Sequence, residues 1–286
     1  MTSTRDANSA NNNGNNIDKN ADKNVDKNSD NNDHHFVSSS KIWVIIPAAG
    51  IGARMAAGLP KQYMPLGERR LIEFTLQVLL DFAPITAVQL CLAKDDPIWP
   101  TLSMQHSKLL PTTIGGETRA DSVLAGLQAL SQQASAEDWV MVHDAARPCL
   151  SVELLERLLS QLTNHPVGGL LATPVADTLK KASPTGSMIG AMASNSAGTR
   201  SDSLVHVEQT ISREMIWQAQ TPQMFRFQLL LDALLTAKEQ GLEITDESSA
   251  MELMGHQVAL VEGDRNNIKV TYPGDERWVR AYHGID

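Results

Sequence analysis

The sequence predicts an α/β protein built on a doubly wound, mostly parallel sheet, and two patterns predict it. Continuous apolar runs recur at Ile42–Ile46, Ala87–Leu92, Trp139–Val142 and Val167–Ala172, as strands covered on both faces require. Helical patterns of suitable length lie between them, at about 72–82, 119–132 and 152–162. Alternation of this kind makes βαβ units, whose ligands bind at the carboxyl ends of the strands.

Taken in order, the first element is preceded by a change of composition. Residues 1–40 hold an Asn run and three consecutive Asp-Lys-Asn-X units at Asp18, Asp22 and Asp26. With almost no apolar side chain, this segment cannot offset the entropy of ordering, so it reads as a disordered tail. Residues 41–286 read as the working domain. A short strand, Pro111–Ile114, runs into the second helix. From Pro184 to Glu208 the chain is rich in Ser, Gly, Asn and Thr with little periodicity, which suits a long surface loop or an extension from the core. Helices at about 225–240 and 247–254, a strand at 257–261 and a closing helix near 275–282 complete the expected domain.

Charge and cysteine content exclude several classes. The 286 residues include 24 Lys+Arg against 33 Asp+Glu, a net charge of −9, with a pI near 5.4. The tail carries 4 basic and 6 acidic residues, so residues 41–286 hold about −7. A broad nucleic-acid or anionic-membrane surface is not expected. Two cysteines, Cys91 and Cys149, are too few for a disulfide framework or a four-thiolate metal site. No stretch has the roughly 18 apolar residues of a membrane span, and the start lacks a signal-peptide core. The expected location is the cytoplasm.

The loop after the first strand, Pro47-Ala48-Ala49-Gly50-Ile51-Gly52-Ala53-Arg54-Met55, is made of small residues that let backbone approach a ligand closely. It is neither a Walker loop nor a dinucleotide fingerprint, whose third glycine is Met55 here. Arg54 and Lys61 beside it suit a polyphosphate.

These residues, with Pro60-Lys61-Gln62-Tyr63, resemble the opening of a sugar-nucleotide-type nucleotidyltransferase with a Rossmann-like fold. More narrowly, they resemble the 2-C-methyl-D-erythritol 4-phosphate cytidylyltransferase family. The likeness continues through Gly115-Gly116-Glu117-Thr118-Arg119-Ala120-Asp121-Ser122 and Val142-His143-Asp144-Ala145-Ala146-Arg147-Pro148. It resumes at Thr221-Pro222-Gln223, Thr245-Asp246-Glu247 and Asn267-Ile268-Lys269-Val270-Thr271. The tail has no counterpart in that pattern, and Asn195–Gln209 is longer than usual.

The resemblance implies that a polyol phosphate attacks the α-phosphorus of CTP and expels pyrophosphate, with Mg²⁺ held mainly by the CTP phosphates near Asp144. It implies Arg54, Lys61, Arg213 and Lys269 as catalytic residues. Pro47, Ala48, Ala49, Gly50, Gly52, Gly116, Glu117, Ser122, Asp144 and Ala145 would surround the nucleotide. Asp144, Arg147, Thr178, Arg213, Thr221, Thr245 and Lys269 would face the polyol phosphate. It further implies a homodimer, exchanged through an arm at about 184–209 that brings Arg213 to the partner's site. Taken alone, each Thr reads as an ordinary strand or cap residue, and His143 reads as a hydrogen-bonded core histidine. Cys149 has no partner base and is not expected to be a nucleophile. Two alternatives stay open at this point: a ribitol-5-phosphate cytidylyltransferase, and a non-catalytic nucleotide-binding module.

Overall fold

In the computed structural model, seven strands form one sheet in the order β11-β7-β10-β6-β1-β4-β5, in which β10 pairs antiparallel with β6 and β7 and every other pairing is parallel. The structure describes residues 40–50, 59–183 and 204–286. Its strands are β1 (Ile42–Ala48), β2 (Pro65–Leu66), β3 (Arg69–Arg70), β4 (Ala87–Leu92), β5 (Thr113–Ile114), β6 (Trp139–Val142), β7 (Gly168–Pro174), β8 (Leu179–Ala182), β9 (Val207–Ile211), β10 (Trp217–Arg226) and β11 (Ala259–Glu262). Its α-helices are α1 (Leu71–Asp81), α2 (Arg119–Leu130), α3 (Val152–Leu162), α4 (Phe227–Glu239), α5 (Glu247–Leu253) and α6 (Glu276–His283).

Strand periodicity divides the core into two layers. Along β1, Ile42, Val44, Ile46 and Ala48 pack with α1 and α3, while Trp43 and Ile45 face α2, α4 and α5. Alternate side chains point to opposite faces of a sheet, so one apolar run serves both layers. Helix α3 shows the matching helical pattern, burying Leu154, Leu155, Leu158, Leu159 and Leu162 along one face. Each such leucine contributes roughly 1.5–3 kcal/mol. Asp138 closes the amino end of β6, accepting from the Lys41 amide, the Trp43 indole and the Ser135 amide, each at 2.9 Å.

Winding order positions the site. From β1 the chain moves outward to β4 and β5, then returns to β6 on the other side of β1. The carboxyl ends of β1 and β6 therefore open together, which is the crevice where open α/β sheets bind ligands.

The parallel core follows the sequence expectation, and the second half departs from it. The helix expected from Phe225 starts at Phe227, because Phe225 and Arg226 continue β10. Val207 and Glu208, expected in an irregular segment, lie in β9, which pairs with β8 as a separate antiparallel hairpin. The expected tail at 1–40, apart from Ser40, and residues 184–203 of the expected arm lie outside the described residues.

Candidate active site

Small residues after β1 make one wall of a cleft of about 230 Å³. Pro47, Ala48, Ala49 and Gly50 line it. The buried Gln62 shapes that wall, donating its amide to the carbonyls of Ala48 (2.9 Å) and Gly50 (3.4 Å). Gln62 lies on a single 3₁₀ turn, Lys61–Tyr63, which is anchored by the Tyr63 hydroxyl donating to Asp96 at 2.7 Å. The same turn carries Lys61 to the cleft.

The facing wall is the turn from β5 into α2. The Gly115 amide donates to Leu92 at 2.8 Å, and the turn ends in a capping box of Thr118 and Asp121. The Ser122 hydroxyl accepts from the Gly116 amide at 3.2 Å and donates to the Thr118 carbonyl at 3.0 Å. Neither glycine has room for a side chain. A Cβ on Gly115 would stand 2.6 Å from Ala49 Cβ, and one on Gly116 would overlap Asp121. The end of β1 and this turn are therefore packed against each other, and Ala49 and Gly116 meet along one edge of the cleft.

A chain of charges forms the floor. Asp144, just past β6, accepts from Arg119 Nε at 2.9 Å and Lys269 Nζ at 2.8 Å, with Arg147 Nε at 3.6 Å. Arg119 in turn donates both terminal nitrogens to Glu247, at 2.7 and 3.0 Å. Burial alone would push the Asp144 carboxyl up, but Arg119, Lys269 and Arg147 outweigh it and hold the group well below the usual carboxylate range. For Arg119 burial acts downward, and Glu247 and Asp144 overcome it, so its guanidinium is raised above its ordinary value.

Beneath the floor, His143 is fully buried between the Thr221 hydroxyl (3.0 Å from Nδ1) and the Arg147 carbonyl (3.1 Å from Nε2). Thr221 Oγ1 also accepts the Asp144 amide at 3.0 Å. The core reading of His143 therefore holds: it braces the backbone of Asp144 through Thr221.

Of the residues singled out in the sequence, Pro47, Ala48, Ala49, Gly50, Lys61, Gly116, Glu117, Ser122, Asp144, Ala145 and Lys269 converge on this cleft. Gly52 and Arg54 lie outside the described residues. Arg147 is buried and bound to the carbonyls of Asn267 (2.6 Å) and Ala219 (3.4 Å), and it does not line the cleft. Thr221 lies under Asp144 with its hydroxyl already bonded on both sides. Thr178, Arg213 and Thr245 are exposed and do not line the cleft, and Arg213 donates to the Ala176 carbonyl. Gln62, Arg119 and Glu247 stand inside the motifs, and each takes its task from a partner elsewhere in the chain.

Among the described residues no group of three or more His, Cys, Asp and Glu side chains could hold a metal ion. Asp144 and Glu117 are the carboxylates lining the cleft. One or two carboxylates fit Mg²⁺ that arrives on a triphosphate and keeps several waters, and they do not make an all-protein cage. No helix among the described residues is long and apolar enough to cross a membrane.

Comparison with known proteins agrees with this geometry. The family model IspD, 2-C-methyl-D-erythritol 4-phosphate cytidylyltransferase, matches residues 42–193 and 183–283. A protein of that name from Ectopseudomonas mendocina (strain ymp) is 49% identical over 243 residues, covering 85% of this chain and 95% of that protein. Its namesake from Pseudomonas aeruginosa (strain UCBPP-PA14) is 47% identical over 234 residues, covering 82% and 92%. Among solved structures, the Francisella tularensis 2-C-methyl-D-erythritol 4-phosphate cytidylyltransferase superposes with a TM-score of 0.69 at 31% identity. That match covers 85% of this chain and 100% of the other.

Proposed function

The chain belongs to the 2-C-methyl-D-erythritol 4-phosphate cytidylyltransferase family, and we propose that the cleft at the ends of β1 and β6 is where its reaction takes place. The enzyme joins CTP and 2-C-methyl-D-erythritol 4-phosphate in isoprenoid precursor biosynthesis, releasing pyrophosphate. Membership in that family favours the methylerythritol reading over the ribitol-5-phosphate one, and an enzyme over a non-catalytic nucleotide-binding module.

The observation that carries the site is the meeting of the small residues Ala48, Ala49, Gly50 and Gly116 with Lys61, Lys269 and Asp144 in one cleft. A flat pyrimidine would lie in the cleft against the edge where Ala49 meets the Gly116 turn, whose fixed backbone groups can read its amino edge. A phosphate oxygen of the polyol phosphate forms the new bond to the CTP α-phosphorus as the bond to the β-phosphate oxygen breaks. The nucleophile is already ionised at neutral pH, so the step needs no general base. Consistent with that, His143 is buried, with its pKa lowered by burial to about 4, and does not line the cleft. The protein's work is alignment and neutralisation of charge on the α-phosphate and the departing pyrophosphate. Lys61, with Arg54, would meet the triphosphate; Lys269, with Arg213, would meet the polyol phosphate. Thr178 and Thr245 would join the second substrate only if an arm or a partner subunit brings it past them.

Mg²⁺ bound with CTP would sit near Asp144 and neutralise phosphate charge. Cation partners already occupy both oxygens of Asp144, so this aspartate would act as an orienting group beside the ion. We also propose that the enzyme works as a homodimer through the β8–β9 hairpin, whose Leu204, Val207 and Met215 are exposed apolar residues on or next to it.

The test is pyrophosphate release from CTP with Mg²⁺ and each polyol phosphate in competition. Methylerythritol phosphate should be consumed first. Faster use of ribitol 5-phosphate, or no release with either, would overturn the reading.

A further inference from the structure

We propose that Glu247 is a positioning residue of the nucleotide cleft: by gripping both terminal nitrogens of Arg119, it fixes Asp144 and keeps that guanidinium from turning onto the incoming phosphates. The proposal rests on the cleft being the catalytic site.

Glu247 is 1% exposed and does not line the cleft, so it touches neither substrate. Arg119 is 27% exposed and does line it. The guanidinium is pinned on two edges, by the two Glu247 oxygens and, through Nε, by Asp144 Oδ1 at 2.9 Å. A planar fork held on two edges has one orientation.

Glu247 itself is fixed from behind. It is the first residue of α5, capped by Asp246, whose carboxylate accepts the Ser249 amide at 2.9 Å. Gln223 of β10 then bridges that end of the helix, donating to Asp246 at 2.9 Å and accepting the Ser248 amide at 2.8 Å. An ordered path thus runs from β10 through α5 to Glu247, Arg119 and Asp144. Burial pushes the Glu247 carboxyl up from its ordinary value while Arg119 opposes it. A buried ion pair of this kind is poor evidence for stability, since apolar residues of similar volume often do as well. Its position, with one partner at the cleft and the other behind it, points to geometry.

Loss of the Glu247 charge leaves the two terminal nitrogens of Arg119 without their carboxylate, and the triphosphate then competes with Asp144, which holds only Nε, for the guanidinium. The guanidinium should then turn into the cleft, holding CTP at least as tightly while releasing Asp144. The expected signature is a split between the two kinetic parameters: E247Q lowers kcat at least tenfold, and KM for CTP is unchanged or lower. Calorimetric titration with CTP should give an equal or tighter Kd. The double variant E247Q/R119Q should be no slower than R119Q alone, because the two residues act as one unit. E247D, which keeps the charge but withdraws it by one methylene, should also lose kcat and so covers the case in which E247Q fails to fold.

Wild-type kcat in a folded E247Q or E247D overturns the proposal, as do fully additive losses in the double variant. A raised CTP Kd with unchanged kcat would make the pair a plain structural tie and would also overturn it. Absence of turnover in the wild-type enzyme would instead strike the functional reading, so the two failures are distinguishable.

Discussion

At His143 the neighbours dictate every proton. The Arg147 carbonyl can only accept, so Nε2 carries the hydrogen, and Nδ1 must accept from the Thr221 hydroxyl. Burial disfavours the cation and lowers the pKa to about 4, and a second proton, on Nδ1, would turn the Thr221 hydroxyl from donor to acceptor. A histidine depressed in the folded state leaves the unfolded chain binding the extra proton below pH ~6.5, so stability falls as pH drops from there toward 4. The slope is about 1.4 kcal/mol per pH unit, or about 2 kcal/mol between pH 6.5 and 5. Urea unfolding across pH 8 to 5 should show H143N less stable at pH 8 but with a shallower decline. Equal slopes in both proteins would refute the role. Asp144 acts in a different window: its lowered carboxyl stabilises the fold above the unfolded value near 4, and that contribution is lost only as pH falls further. Lysines at the cleft belong to this scale too. Removing a pre-organised charge of the oxyanion-hole kind raises a barrier by about 2.7–4 kcal/mol. K61A and K269A should therefore each lower kcat by roughly a hundredfold or more with the far-ultraviolet circular dichroism unchanged. A wild-type rate in either would remove that lysine from the mechanism.

Elements are legible in a sequence where one pattern dominates, and this chain shows both outcomes. The apolar runs of β1, β4 and β6 announce strands buried on two faces, and α3 announces itself by its leucines. Strand β10 is masked because Gln218, Gln220, Thr221, Pro222 and Gln223 interrupt any alternation. The structure supplies the reason. Its pairing with β7 breaks between Ala219 and Gln223, so Pro222, which has no amide to offer, sits in an irregularity. The buried polar side chains there are bonded to other parts of the fold, Thr221 to His143 and Gln223 to α5. Their partners lie 78 and 25 residues away and cannot be inferred from local pattern. The same holds for Arg119 and Glu247, 128 residues apart: residue types in a motif are visible, and the pairing that gives them a task is not. The turn between β5 and α2 was legible, and it yields a prediction. In G115A the new methyl would lie 2.6 Å from Ala49 Cβ and 2.7 Å from Ser122 Oγ, wedging the turn away from the end of β1. Overpacking of this kind costs about 1–3 kcal/mol. Because the displaced neighbours Ala49, Gly116 and Ser122 line the cleft, CTP affinity should drop about tenfold, the equivalent of ~1.4 kcal/mol, as read by calorimetry. Unchanged CTP affinity would show that the base does not rest against this turn.

For the whole molecule, the acidic balance of −9 says little about a site whose floor sets Arg119, Arg147 and Lys269 against Asp144 and Glu247. What matters at this scale is whether one chain completes a site. Arg213 lies beyond β9, exposed and not among the residues that line the cleft, on a hairpin flanked by Leu204 (81% exposed) and Met215 (92% exposed). A two-stranded hairpin with apolar side chains in water is marginal by itself, and a second copy of the chain would cover it. If Arg213 serves the partner's cleft, mixing K61A with R213A should restore activity. A mixed dimer would have one site with both defects and one with neither. Random exchange makes about half the dimers mixed, so about a quarter of wild-type activity should return. If Arg213 instead serves its own cleft, every site in the mixed dimer carries one defect and nothing returns. Subunit exchange confirmed by native mass spectrometry, with no recovered pyrophosphate release, would therefore place Arg213 outside any shared site.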